Sequence, residues 1–219
     1  MGKIMEAVFC VFYLIFTVIV GIKTLKESKG SKEVKLFGIM TLTLVFGDSF
    51  HLIPRILAVV NPSVDYTFSL GVGKMITSIT MTIFYLILYC IFEMRYQKKN
   101  VPLRSSIIAL AIIRIALCLL PQNDWTGAAP VIWGVYRNIP FAIMGLIVVI
   151  LFFTKKDDKF YKWMWLAVLL SFAFYIPVVL WSNVSPMIGM LMLPKTCMYM
   201  WIVVMGYKQA KNQNKELAE

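Results

Sequence analysis

The sequence predicts an all-α integral membrane protein with seven transmembrane helices, and three observations carry that class. Of the 219 residues, 60% are apolar and only 15% charged, with a mean hydropathy of +0.77, too apolar for a soluble domain. The apolar residues gather in seven runs, each near the roughly 20 residues a helix needs to cross a bilayer. The basic residues behind the net charge of +11 fall in short clusters between alternate runs instead of lining one polar face. That placement fits cytoplasmic loops and gives no reason to expect nucleic acid as a partner.

The runs cover residues 5–22, 36–60, 67–94, 104–121, 130–154, 162–182 and 187–207. The first lacks the small-residue cleavage site of a signal peptide and continues into the lysine-rich KTLKESKGSKEVK, so it reads as a retained helix. No loop is long enough for a soluble domain. The chain is therefore one seven-helix domain over 1–219, ending in a short cytoplasmic tail at 208–219. Cys10, Cys90, Cys118 and Cys197 all lie in apolar stretches and read as small core residues, not as a disulfide framework. One histidine and scattered cysteines supply no set of three or four metal ligands, and no cofactor is called for.

Orientation follows from the basic residues. Lys23, Lys26, Lys29, Lys32 and Lys35 follow the first run; Arg95, Lys98, Lys99 and Arg104 follow the third. Lys155, Lys156, Lys159 and Lys162 follow the fifth, and Lys208, Lys211 and Lys215 follow the seventh. Those sixteen stand against Lys3 alone on the other side. The positive-inside rule then places the N-terminus outside and the C-terminus in the cytoplasm. The short lysine-rich loops point to a bacterial inner membrane.

Five basic residues remain inside the runs: Arg55, Lys74, Arg114, Arg137 and Lys195. The only acid comparably deep is Asp48, with Glu6 and Glu93 near helix ends. A charge left facing lipid costs about 2.5–3.5 kcal/mol at the helix centre on insertion scales. At about 1.5 Å per residue, all five cations fall in the extracellular half. The joint pattern predicts an outward-facing cavity lined with positive charge. The missing negative charge is expected from a ligand, or from water and chloride, and the pattern points to an anionic small molecule or an anionic lipid as that ligand.

Asp48, His51 and Arg55, within FGDSFHLIPRIL, share one helical face. They read as an intramembrane ion pair, as part of a ligand site, or as an Asp–His acid/base pair. Tyr136, Arg137 and Asn138, Tyr175 on the sixth run and Tyr199 beside Lys195 are expected to complete the lining. Pro54, Pro140, Pro177 and Pro194 are expected to break their helices near these groups, as in transporters.

The segments IPRILAVVNP and IPVVLWSNVSP are each followed by a lysine in the next run, Lys74 and Lys195. They predict parallel repeats, 1–99 and 130–210, linked by the helix at 104–121. That plan resembles the three-plus-one-plus-three architecture of SWEET sugar transporters, PQ-loop proteins and KDEL receptors. The Pro121–Gln122 pair is not where the PQ-loop pattern would place it, so no functional residue is carried over. Seven helices with Lys195 in the last, and FYIPVVLW in the sixth, also resemble a microbial rhodopsin. That resemblance implies Lys195 as a Schiff-base lysine and Asp48 as its counter-ion. Three readings follow from these residues. One is a transporter or flippase of an anion. Another is a membrane-embedded enzyme using His51 and Asp48 on a phosphate- or carboxylate-bearing substrate. The last is a receptor or retinal-binding protein.

Overall fold

Backbone polar groups have no partner in hydrocarbon other than each other, so a chain this apolar folds into helices. The computed structural model of the protein describes residues 2–182 and 184–216. Its long helices are α1 Gly2–Lys26, α2 Lys32–Val60, α3 Thr67–Tyr96, α4 Val101–Leu119, α5 Val131–Phe153, α6 Met164–Trp181 and α7 Met192–Glu216. All seven are long and apolar enough to cross a membrane, and among the described residues there is no strand. The protein is thus all-helical and multi-pass. Ile15, Ile112, Leu146 and Leu169 are among many large apolar side chains left exposed on the outer surface. Water would penalise such a surface and acyl chains would not.

Local chemistry sets the helix ends. Gly30 takes a left-handed φ of 91° and Ser31 caps α2 by accepting from the Val34 N–H. Asn100 caps α4 by accepting from the Leu103 N–H at 3.1 Å. Asp65 does similar work at the start of α3, accepting from the Thr67 N–H at 2.8 Å. A short 3-10 segment, Pro186–Leu191, leads into α7.

Two expectations are corrected. The prolines do not break their helices: α2, α5 and α6 run unbroken through Pro54, Pro140 and Pro177, and Pro194 sits in the first turn of α7, where a proline costs no helical hydrogen bond. The seventh helix does not stop near residue 207 but continues to Glu216, so most of the expected tail is helix. Residues 217–219 of that tail, and Asn183 of the expected α6–α7 loop, lie outside the described residues.

The helices pack in a ring, each against its neighbours in sequence, and α1 against α7 closes it. Contacts of α3 with α5 and of α2 with α7 cross the interior. Helix α3 is the innermost: Phe84, Tyr85, Leu88, Tyr89, Ile91 and Phe92 are all buried. They meet Met40 and Leu44 of α2, Met144 and Val148 of α5, Val168 of α6 and Ile202 of α7 in one apolar core.

That core is closed at one end by a polar network. Arg95, near the end of α3, gives a bidentate pair to Asp158, with Nε to Oδ2 at 2.8 Å and a second nitrogen to Oδ1 at 3.3 Å. Its remaining nitrogen donates to Glu33 of α2 at 3.0 Å. The Tyr96 hydroxyl adds a bond to Asp158, and the Tyr161 hydroxyl one to Glu33. The result ties α2, α3 and the α5–α6 connection together. Burial works against the charge on Asp158, but the Arg95 guanidinium and the N–H groups of Tyr161 and Phe160 hold its carboxyl below the ordinary 3.8. Burial, reinforced by the Glu33 carboxylate, pushes the Tyr161 hydroxyl well above its usual range.

A basic cavity as the candidate functional site

At the opposite end the ring opens around a cavity of about 390 Å³. Close approach of backbones shapes it. The carbonyl of Phe50, deprived of its helical donor by Pro54, faces Gly73 of α3, where any Cβ would collide with it. Gly71 makes room for the backbone of Trp125 and Thr126 in the α4–α5 connection. These contacts draw α2, α3 and that connection together around the mouth.

Arg55, Lys74, Arg114, Arg137 and Lys195 all line this one cavity, with His51, Asn138 and Tyr175. Among the described residues, no Asp or Glu lines it. The five cations come from α2, α3, α4, α5 and α7, so five helices converge their charge on one space. The other named residues are placed differently. Tyr136 is exposed and packs edge-on against Trp133. Tyr199 is buried beneath the cavity, edge-on to Phe84. With Tyr85, Phe141 and Phe172 it forms an aromatic floor between the cavity and the Arg95 network.

Asp48 is not in the lining. The Tyr13 hydroxyl of α1 donates to it at 2.6 Å, and it makes neither a hydrogen bond with His51 nor an ion pair with Arg55. Arg55 instead reaches Glu6 of α1 at 2.5 Å. The histidine and aspartate therefore do not form an acid/base dyad, and His51 Nδ1 is buried without a partner.

Three of the remaining cations, Arg137, Lys195 and Arg114, lie against uncharged groups. Arg137 donates to Asn123 Oδ1 at 2.9 Å and lies 4.2 Å from the centre of the Trp125 ring. Asn123 in turn donates to the carbonyls of Leu117 and Leu120 that end α4, and the Trp125 indole N–H donates to Cys118 O. The α4–α5 connection thus caps α4 and carries Arg137's supports at once. Lys195 Nζ sits 4.4 Å from the Tyr175 ring centre and 5.4 Å from that of Tyr199. Arg114 is 1% exposed, stacks on Phe141 at 3.3 Å, and leaves Nε and one terminal nitrogen buried without acceptors. Buried donors normally find partners, and an aromatic face answers the charge without accepting those N–H groups.

Sequence reasoning did not single out Glu6, Tyr13, Asn123, Trp125 or the Arg95 network. Glu6 and Tyr13 were within reach of a depth count: each lies about as far from the start of α1 as Arg55 and Asp48 lie from the end of α2. Asn123 gives no such signal, because a loop residue's contacts depend on how the loop folds back.

Fold and site together define a multi-pass, seven-helix membrane protein with a cationic cavity sunk between its helices. No family model, curated protein or solved structure matches the chain, so the functional reading rests on this geometry.

Proposed function

We propose that the protein binds an anion, a carboxylate or phosphate group, in the basic cavity and carries it across the membrane. One observation carries the reading: among the described residues, five cations line the cavity and no carboxylate does. With Arg55 paired to Glu6, Lys74, Arg114, Arg137 and Lys195 have no carboxylate within 4.0 Å among the described residues. An anion seated between them offsets the cost of their burial and supplies acceptors for the two free nitrogens of Arg114.

The basic-residue count supports the orientation with the N-terminus outside, which puts the cavity mouth on the outer face, here taken as that of a bacterial inner membrane. The closed end then faces the cytoplasm. A carrier with this shape alternates by closing the mouth and releasing the Arg95 network. The ring order supports two moving halves, α1–α3 and α5–α7. They meet through α3 against α5 and through α1 and α2 against α7, and α4 packs only beside α3 and α5 among the principal contacts.

The enzyme reading loses its orienting group, since Asp48 serves Tyr13. For the retinal reading, the counter-ion Asp48 lies outside the lining around Lys195 and already accepts from the Tyr13 hydroxyl.

Thermal unfolding of the purified protein, titrated with phosphate, sulfate, acetate and citrate, tests the proposal. At least one anion should stabilise the wild type, by about 2.7 kcal/mol at a hundredfold excess over Kd. Arg114→Met should lose that response while melting no lower than wild type without ligand, because it removes a buried charge with unpartnered donors. The anion that stabilises should also enter proteoliposomes. If no anion stabilises wild type more than the variant, the cavity is not an anion site.

A further inference from the structure

A second cavity, of about 180 Å³, lies between α5 and α6. Its lining is almost wholly apolar and includes Ile139 and Ile176, which are exposed on the outer surface of the ring, as well as Phe141 and Phe172, which are buried. It therefore runs from the lipid-facing surface into the bundle. Asn138, Phe141, Tyr175 and Val179 line this slot and the basic cavity alike, so the two spaces share one wall. In that wall the Tyr175 hydroxyl donates to Asn138 Oδ1 at 3.0 Å, while Asn138 Nδ2 bonds back to Gly134 O at 2.7 Å. The two polar side chains among the slot's described lining thus bond to each other and to the backbone. Below the slot, Gly145 admits the Phe172 ring where a Cβ would collide, and α5 and α6 close.

A cationic chamber that shares one wall with an apolar, lipid-facing slot has the polarity of a single-chain anionic lipid. We infer that the ligand of the basic cavity is such an amphiphile: its carboxylate or phosphate lies among Arg114, Arg137 and Lys195, and its acyl chain leaves between α5 and α6. This rests on the anion reading above and narrows it. The slot holds the first part of one chain, and the rest lies against the exposed α5–α6 surface. A free inorganic anion would use the cavity and leave the slot idle.

Binding of inorganic phosphate and of ethyl, butyl and hexyl phosphate, with the matching short carboxylates, is measured on the full chain in lipid nanodiscs. These probes stay largely in water, so chain burial registers in Kd. The expected result is a Kd that tightens by about fourfold for each methylene seated. In Ala142→Phe, which fills the slot, inorganic phosphate should bind as in wild type and the dependence on chain length should vanish. Retained phosphate binding also shows that the variant is folded. If phosphate binds but chain length has no effect in wild type, the slot is refuted and the anion reading stands. If chain length matters equally in Ala142→Phe, the chain lies elsewhere and the inference fails. If neither series binds, both fall.

Discussion

Arg55 and Arg114 carry the same charge inside the same bundle and reach opposite outcomes. Arg55 lies toward the end of α2, half exposed, and Glu6 neutralises it. Arg114 is fully buried, rests on the Phe141 ring and keeps two unpartnered donors. Buried donors of this kind cost about 1–3 kcal/mol each where nothing accepts from them. Asp158 is the reverse case, a loop acid whose partners are all present. Its carboxyl is held below the ordinary 3.8, so it contributes stability above its unfolded pKa and loses that contribution as pH falls through the lower folded value. Thermal stability should therefore be level, as far as Asp158 contributes, above about pH 5 and decline below about pH 4. Asp158→Asn should remove that component of the acid decline and cost about 1–3 kcal/mol at neutral pH. An unchanged acid profile in the variant would show that the Arg95 network is not holding that end shut.

Among the helices, the spans were legible and their interruptions were not. Apolar runs of membrane length have one stable solution in lipid, so all seven were found to within a few residues at most ends. The prolines misled because a proline frees a carbonyl without having to break a helix when neighbours support it. At Pro54 the freed carbonyl of Phe50 is covered by Gly73 of α3. That makes Gly73, like Gly71, a tight constraint on the cavity mouth. Gly73→Leu should cost at least about 3 kcal/mol, more than ordinary overpacking, because the obstacle is backbone and cannot rotate away. Thermal unfolding in detergent would show this, and Gly189→Ala, where nothing lies within 4 Å of an added Cβ, serves as the control.

Across the whole molecule, charge is divided by height. The basic cavity opens at one end, the Arg95 network shuts the other, and the aromatic floor lies between. The orientation proposed from the loop lysines fixes which end meets the outside. In a cysteine-free background, Ser63→Cys in the α2–α3 loop should react with an impermeant maleimide in intact cells. Ser28→Cys, between α1 and α2, should react only after lysis. The opposite pattern would invert the molecule and turn the cavity toward the cytoplasm.

Composition and the spacing of apolar runs by themselves determined a seven-helix membrane protein with five cations inside it, because hydrocarbon leaves the backbone few alternatives and makes every buried charge conspicuous. The depth of Arg55, Lys74, Arg114, Arg137 and Lys195 was likewise a matter of counting residues along helices of fixed rise. Which of those cations are neutralised was decided only in three dimensions. Glu6 rather than Asp48 reaches Arg55, Tyr13 takes Asp48, Asn123 folds back to Arg137, and Arg114 finds an aromatic ring but no acid. Depth is a one-dimensional property that a sequence carries. The rotation of each helix about its axis, which chooses among partners at equal depth, is set by packing against its neighbours.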